Sequence, residues 1–196
     1  PVPGAIAAAG GEIVFVEIND ELLIDFDDLE RKIISSKSKV LLLSHMRGHI
    51  CNMDTLMRLC DQYEVQVVED CAHTMGAKWD KHWSGKFGLI GCYSTQTYKH
   101  LNSGEGGILI TNDQEIMARA IILSGSYMLF DRHISRPEID IFDEIKLETP
   151  NCSGRMDNLR SAILRPQLKN LEFNCRAWNE RYAVVEKCLT GTKGIK

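Results

Sequence analysis

Val65-Gln66-Val67-Val68-Glu69-Asp70-Cys71-Ala72-His73 is the stretch on which the fold turns. Val65 to Val68 reads as a buried strand, and that strand ends in two carboxylates. Successive side chains alternate along extended backbone, so Glu69 and Asp70 point to opposite faces. A carboxylate at the C-terminal end of a parallel strand stands where open α/β sheets bind ligands. Asp70 is therefore a candidate site residue.

Upstream, Val40-Leu41-Leu42-Leu43-Ser44 is a second continuous apolar run, of the kind buried on both faces of a parallel sheet. Asn52-Met53-Asp54 opens a helix between the two runs, with Leu56, Met57, Leu59 and Cys60 towards the core. The alternation of strands and helices predicts an α/β fold with a mostly parallel sheet and flanking helices. His45 follows the upstream strand, on the same edge as Asp70; a substrate contact and a purely structural bond both suit it. Ile13 to Val16 reads as a further strand and Asp20 to Ile24 as a connection. Asp27 to Ile34 has helical spacing with acids in the first turn, and its charges read as a solvated face. Pro1 to Gly11 reads as the end of a helix, with no signal peptide visible.

Downstream, Gly76 to Phe87 looks like a hairpin whose Trp79 and Trp83 serve packing. Leu89 to Tyr93 and Ile108 to Ile110 are short apolar runs. Between them lies Ser94-Thr95-Gln96-Thr97-Tyr98-Lys99-His100-Leu101-Asn102-Ser103-Gly104-Glu105-Gly106-Gly107, a polar loop on a rigid scaffold. Its one ammonium group is Lys99, and His100 beside it should point elsewhere. An amine facing a carboxylate, with a hydroxyl and glycines for an anion, suits pyridoxal phosphate. Asn112-Asp113 caps a helix running to about Leu123. Ser124 to Pro150, with Glu138, Asp140, Asp143 and Glu144, reads as a loop-rich excursion. From Met156 the pattern is helical through Leu159, Ala162, Ile163, Leu168, Leu171 and Phe173, and Pro166 should kink or interrupt it.

The 196 residues suffice for one domain with a sizeable core. Net charge is −4, from 23 basic and 27 acidic residues, and no basic stripe speaks for nucleic acid. No apolar run approaches the roughly 18 residues of a membrane span. The seven cysteines are odd in number and form no CxxC pair, so they read as reduced thiols in a cytoplasmic setting. No ligand spacing supports a metal site.

Four motifs then carry a resemblance. Val-Val-Glu-Asp-Cys-Ala-His-Thr-Met-Gly-Ala at 67–77, Gly-Cys-Tyr-Ser at 91–94, Lys-His-Leu-Asn-Ser-Gly-Glu-Gly-Gly at 99–107 and Thr-Asn-Asp at 111–113 stand in the order and spacing of one family. The chain resembles the DegT/DnrJ/EryC1/StrS aminotransferases, fold-type-I pyridoxal-phosphate enzymes that mostly aminate nucleotide-linked keto-sugars. The resemblance implies that Lys99 is the Schiff-base lysine and the proton shuttle. It implies that Asp70 partners the pyridine nitrogen, that His73 lies near the cofactor's 3′-oxygen, and that Ser94 binds the phosphate. Ser153 stands where the family usually has an asparagine that reaches the cofactor phosphate of the neighbouring subunit. Family members with histidine at the position of Lys99 are dehydratases, so lysine points to transamination.

The same resemblance implies a homodimer, glutamate as amino donor, and a keto-sugar nucleotide or other cyclic ketone as acceptor. It makes residues 1–150 the central part of the large cofactor-binding domain. Residues 151–196 become a helical segment leading towards a small C-terminal domain. On this reading the chain is the central fragment of a larger enzyme. Two alternatives stay open: another fold-type-I reaction such as elimination or desulfuration, and a truncated, non-catalytic chain.

Overall fold

The computed structural model describes residues 2–125 and 129–194. Pro1 of the first helical stretch and positions 126–128 of the expected excursion lie outside the described residues. A four-stranded sheet has the order β1 (Val40–Ser44), β2 (Gln66–Asp70), β5 (Ile90–Ser94), β6 (Gly107–Ile110), and a separate hairpin pairs β3 (Lys78–Trp79) with β4 (His82–Trp83). Strands β1, β2 and β5 are parallel, and β6 runs antiparallel to β5. The sheet is thus mostly parallel, as the alternation of elements predicts. Its register aligns Ser44 with Asp70 and Asp70 with Cys92, so the strand ends form one edge.

The helices begin where side-chain caps allow. Asp25 caps α2 (Phe26–Ser36) by accepting from the amide of Asp28, Asn52 caps α3 (Met53–Gln62) through Thr55, and Asp113 caps α4 (Gln114–Leu123) through Ile116. The short α1 (Val2–Ala8) precedes them. Leu29 and Ile33 of α2 and Met53, Leu56 and Cys60 of α3 close over Leu43 and Val67 of the sheet to make the main core. Asp28 departs from the expected solvated face of α2. It is buried and accepts from the amide of Glu17 at 2.9 Å and from Arg31.

Two expectations are corrected. Ile13 to Val16 forms no strand; the nearest pairing is a lone bridge between Ile18 and Ile24. Ile13, Val14 and Val16 instead line an apolar cleft of about 460 Å³ beside β1. Hydrophobicity brought the stretch against the sheet, but a strand also needs a ladder partner. The 124–150 excursion contains a helix, α5 (Ile139–Ile145), whose Phe142 and Ile145 pack on Ala118, Ile121 and Ile122 of α4. Glu138, Asp140, Asp143 and Glu144 are exposed beside that apolar contact.

After Asp157, which caps through the amide of Arg160, α6 (Asn158–Lys169) runs with Pro166 inside it, and the chain breaks only at Asn170 before α7 (Leu171–Leu189). No helix among the described residues is long and apolar enough to cross a membrane.

Candidate active site

A cleft of about 760 Å³ opens where the loops after β1, β2 and β5 face α7. Lys99 and His73 both line it, and so do Arg47, His49 and His100. None of the lining residues is acidic, and Arg47 and Lys99 give the lining two cations. Aromatic surface comes from Tyr98, Trp178 and Tyr182.

His73 is the best-defined group. Its Nδ1 accepts the amide N–H of Arg47 at 2.9 Å, so the neutral ring carries its hydrogen on Nε2. Burial first, and then the positive charge of Lys99, push its pKa below the usual histidine value, against the pull of Asp70. Lys99 and Asp70 therefore each lie close enough to His73 to act on its charge. Arg47 adopts φ 60°, the left-handed region that most side chains avoid. That strained residue sits in the single 3-10 turn joining β1 to the cleft.

Asp70 ends β2, half-buried. Its Oδ1 accepts from the amide of Ala72 at 3.0 Å and its Oδ2 from the Ser44 hydroxyl at 3.3 Å. Glu69, one residue earlier, points away as strand parity requires, and its side chain is wholly buried. Oε2 accepts from His45 Nε2 at 3.1 Å and from the amide of Gly85 at 2.7 Å. Oε1 accepts from the amides of Phe87 at 2.8 Å and Gly88 at 2.7 Å. Burial works to raise the Glu69 pKa, but the His45 bond and the three amides outweigh it and hold the carboxyl below its usual range.

His45 is corrected accordingly. It is buried against Glu69 and does not line the cleft, so it takes the structural bond rather than the substrate contact. Cys71 adds a third ligand-type atom within 4.8 Å of the other two. Both Glu69 oxygens are nevertheless already filled by N–H donors. Burial also pushes the Cys71 thiol up to about 12.

Ser94 and Ser153 do not line the cleft. Ser94 Oγ accepts from the amide of Gln96 at 3.2 Å, the local bond of a serine turn. Ser153 is exposed at φ 51°, its amide bonded to the Asn151 side chain at 2.8 Å. His100, expected to point elsewhere, lines the same cleft as Lys99, with its ring stacked on Trp178 at 4.8 Å.

Sequence reasoning passed over Arg47, His49, Trp178 and Tyr182. A signal existed for Trp178: Leu171, Cys175 and Trp178 recur at helical spacing, one face of α7. None existed for Arg47 and His49, because a loop has no period.

The sequence profile of the DegT/DnrJ/EryC1/StrS aminotransferase family matches residues 3–196. The chain is 32% identical over 169 residues to the GDP-perosamine synthase of Escherichia coli O157:H7, covering 86% of this chain and 43% of that protein. It is 28% identical over 195 residues to the dTDP-3-amino-3,4,6-trideoxy-alpha-D-glucose transaminase of Streptomyces venezuelae, covering 97% of this chain and 46% of that one. Among solved structures, AtS13 from Actinomadura melliaura superposes with a TM-score of 0.82 at 30% identity, over 98% of this chain and 52% of its own. The chain thus spans about half the length of these relatives or less.

Proposed function

The chain belongs to the DegT/DnrJ/EryC1/StrS aminotransferase family, and on that premise we propose that the whole protein is a pyridoxal-phosphate-dependent aminotransferase acting on a nucleotide-linked keto-sugar, with glutamate as amino donor. The observation that carries the reading is one cleft at the sheet's strand-end edge lined by Lys99 and His73, with Asp70 close by. The residues fit the cofactor. An anionic ring compound suits a lining of Arg47, His49, His73, Lys99 and His100 that contains no carboxylate.

When bound, pyridoxal phosphate supplies an electron sink for the carbon that loses or gains the amino group. The chain supplies the rest. Lys99 is the amine that bonds to the cofactor and carries a proton to and from the reacting carbon. Asp70 keeps the ring nitrogen protonated by accepting its hydrogen, and the bonds from Ser44 and Ala72 hold that carboxylate in place. His73, with its hydrogen on Nε2, donates to a ring oxygen. Lysine rather than histidine at position 99 favours transamination over dehydration. Ser94 and Ser153 hold the phosphate from outside this lining, the latter across a homodimer interface. Neither lines the cleft of this chain. All seven cysteines are free, which fits a reducing cytoplasm.

The test is trapping. The full-length protein is incubated with pyridoxal phosphate, reduced with borohydride, and its peptides mapped by mass spectrometry. The expected result is one phosphopyridoxyl adduct, on Lys99. Labels scattered over surface lysines, with none preferred, would overturn the assignment.

A further inference from the structure

Bonds within the lysine loop hold residues 95–99 and 103–106. Thr95 N donates to Gly106 O, Thr97 N to Gly104 O, Lys99 N to Gln96 O and Ser103 N to Thr95 O, each at 2.9 Å. Residues 100–102, directly after Lys99, are held from outside the loop. Leu101 is fully buried. Gln167 reaches over from α6 and treats Asn102 as a neighbouring strand would: its Oε1 accepts from Asn102 N at 3.0 Å, and its Nε2 donates to Asn102 O at 2.7 Å. The same Nε2 donates to Ile163 O at 3.0 Å, which fixes the amide on its own helix. From α7, Trp178 stacks on the His100 ring with an interplanar angle of 26°, while His100 Nδ1 donates to Met75 O at 3.2 Å.

We propose that Gln167, aided by Trp178, is a positioning residue for the Lys99 amine. The α6–α7 pair forms a rigid backstop that fixes the backbone from which the lysine reaches into the cleft. A lysine side chain has several rotatable bonds, so where its amine sits depends on how firmly its Cα is held. A reacting group displaced by about 1 Å can lose about a hundredfold in rate. Two side chains from helices more than sixty residues downstream restrain the two positions flanking Leu101. The buried leucine prevents the tip from lifting. The inference rests on the reading of Lys99 as the cofactor lysine.

The experiment titrates full-length protein with pyridoxal phosphate, quenches with borohydride, and reads the fraction of Lys99 modified by peptide mass spectrometry, alongside the thermal midpoint. The variants are Gln167→Leu, which keeps the size but not the paired bonds, and Trp178→Ala, which removes the stack. Leu164→Ala truncates the buried residue of α6 and keeps both Gln167 and Trp178; Leu164→Val is the milder control if alanine unfolds the protein. Gln167→Leu and Trp178→Ala should each raise the concentration for half-labelling of Lys99 by about tenfold and shift label to surface lysines. The Leu164 variant should lower the thermal midpoint and leave Lys99 labelling within about twofold. Wild-type labelling in Gln167→Leu, or an equal loss in the Leu164 variant, would overturn the positioning role alone. No Lys99 adduct in the unmodified protein would bring down the lysine assignment and the positioning role together.

Discussion

Glu69 and Asp70 are adjacent carboxylates with opposite surroundings. Asp70 stands half-buried at the end of β2, whereas Glu69 is buried and satisfied by four N–H donors from two other segments of chain. Its folded pKa lies below the ordinary value of 4.5, so its contribution to stability is complete above that pH and is lost as pH falls through the folded value. Glu69→Gln places an amide donor against donors and should cost roughly 3 kcal/mol at neutral pH. The urea midpoint should also fall less in Glu69→Gln than in wild type between about pH 6 and pH 3. Parallel pH curves for the two proteins would contradict the account. Lys99→Ala belongs to the same scale. In the full-length protein it should reduce the amination rate about a thousandfold or more, since it removes the proton carrier as well as the cofactor bond. Steady-state kinetics with a keto-sugar nucleotide would show this, and an unchanged rate would remove Lys99 from the mechanism.

At the scale of elements, local signals agree with the structure at two caps and at the central strands, though not at Ile13 to Val16. The caps at Asn52 and Asp113 begin their helices, and the apolar run at 40–44 coincides with a strand. Helix α5 was missed because its apolar residues, Ile139, Phe142 and Ile145, are interleaved with acids and flanked by prolines at 137 and 150. Phe142 is fully buried and stacks on Phe130 at 4.4 Å. Phe142→Ala should therefore destabilise the chain by about 3–5 kcal/mol, read from the urea midpoint. A loss under about 1 kcal/mol would mean that α5 is not docked on α4 as described. Pro166, expected to kink or interrupt a helix, lies inside α6, and the helix ends only at Asn170, four residues later. A proline removes one backbone bond and leaves the rest of the turn to follow the packing.

Across the whole molecule, burial sorts the cysteines. Desolvation pushes the thiols of Cys51 and Cys60 up to about 11 and that of Cys71 up to about 12, and all three are buried. Cys152 and Cys188 are exposed. A maleimide at neutral pH should modify Cys152 and Cys188 of the native chain within minutes, and Cys51, Cys60 and Cys71 only once denaturant unfolds it. Prompt modification of the buried three would contradict the core described. The same sorting separates His45 from His73. Both follow the C-terminal end of a parallel strand, yet one is consumed by Glu69 inside the protein and the other lines the cleft.

The order of most strands and helices, the caps at Asn52 and Asp113, and the family motifs that contain Asp70 and Lys99 were legible in the sequence by itself. Each depends on local pattern: an apolar run of strand length, a capping side chain, or a motif with its own spacing. The tertiary structure alone decided that Glu69 ties three segments together and that His45 is structural. It also decided that Ile13 to Val16 lacks a ladder partner and that Arg47, His100 and Trp178 share a cleft with the lysine. Those facts rest on contacts between residues far apart along the chain. Burial and hydrogen-bond geometry arise there from how the elements pack, and no period in the sequence carries that information.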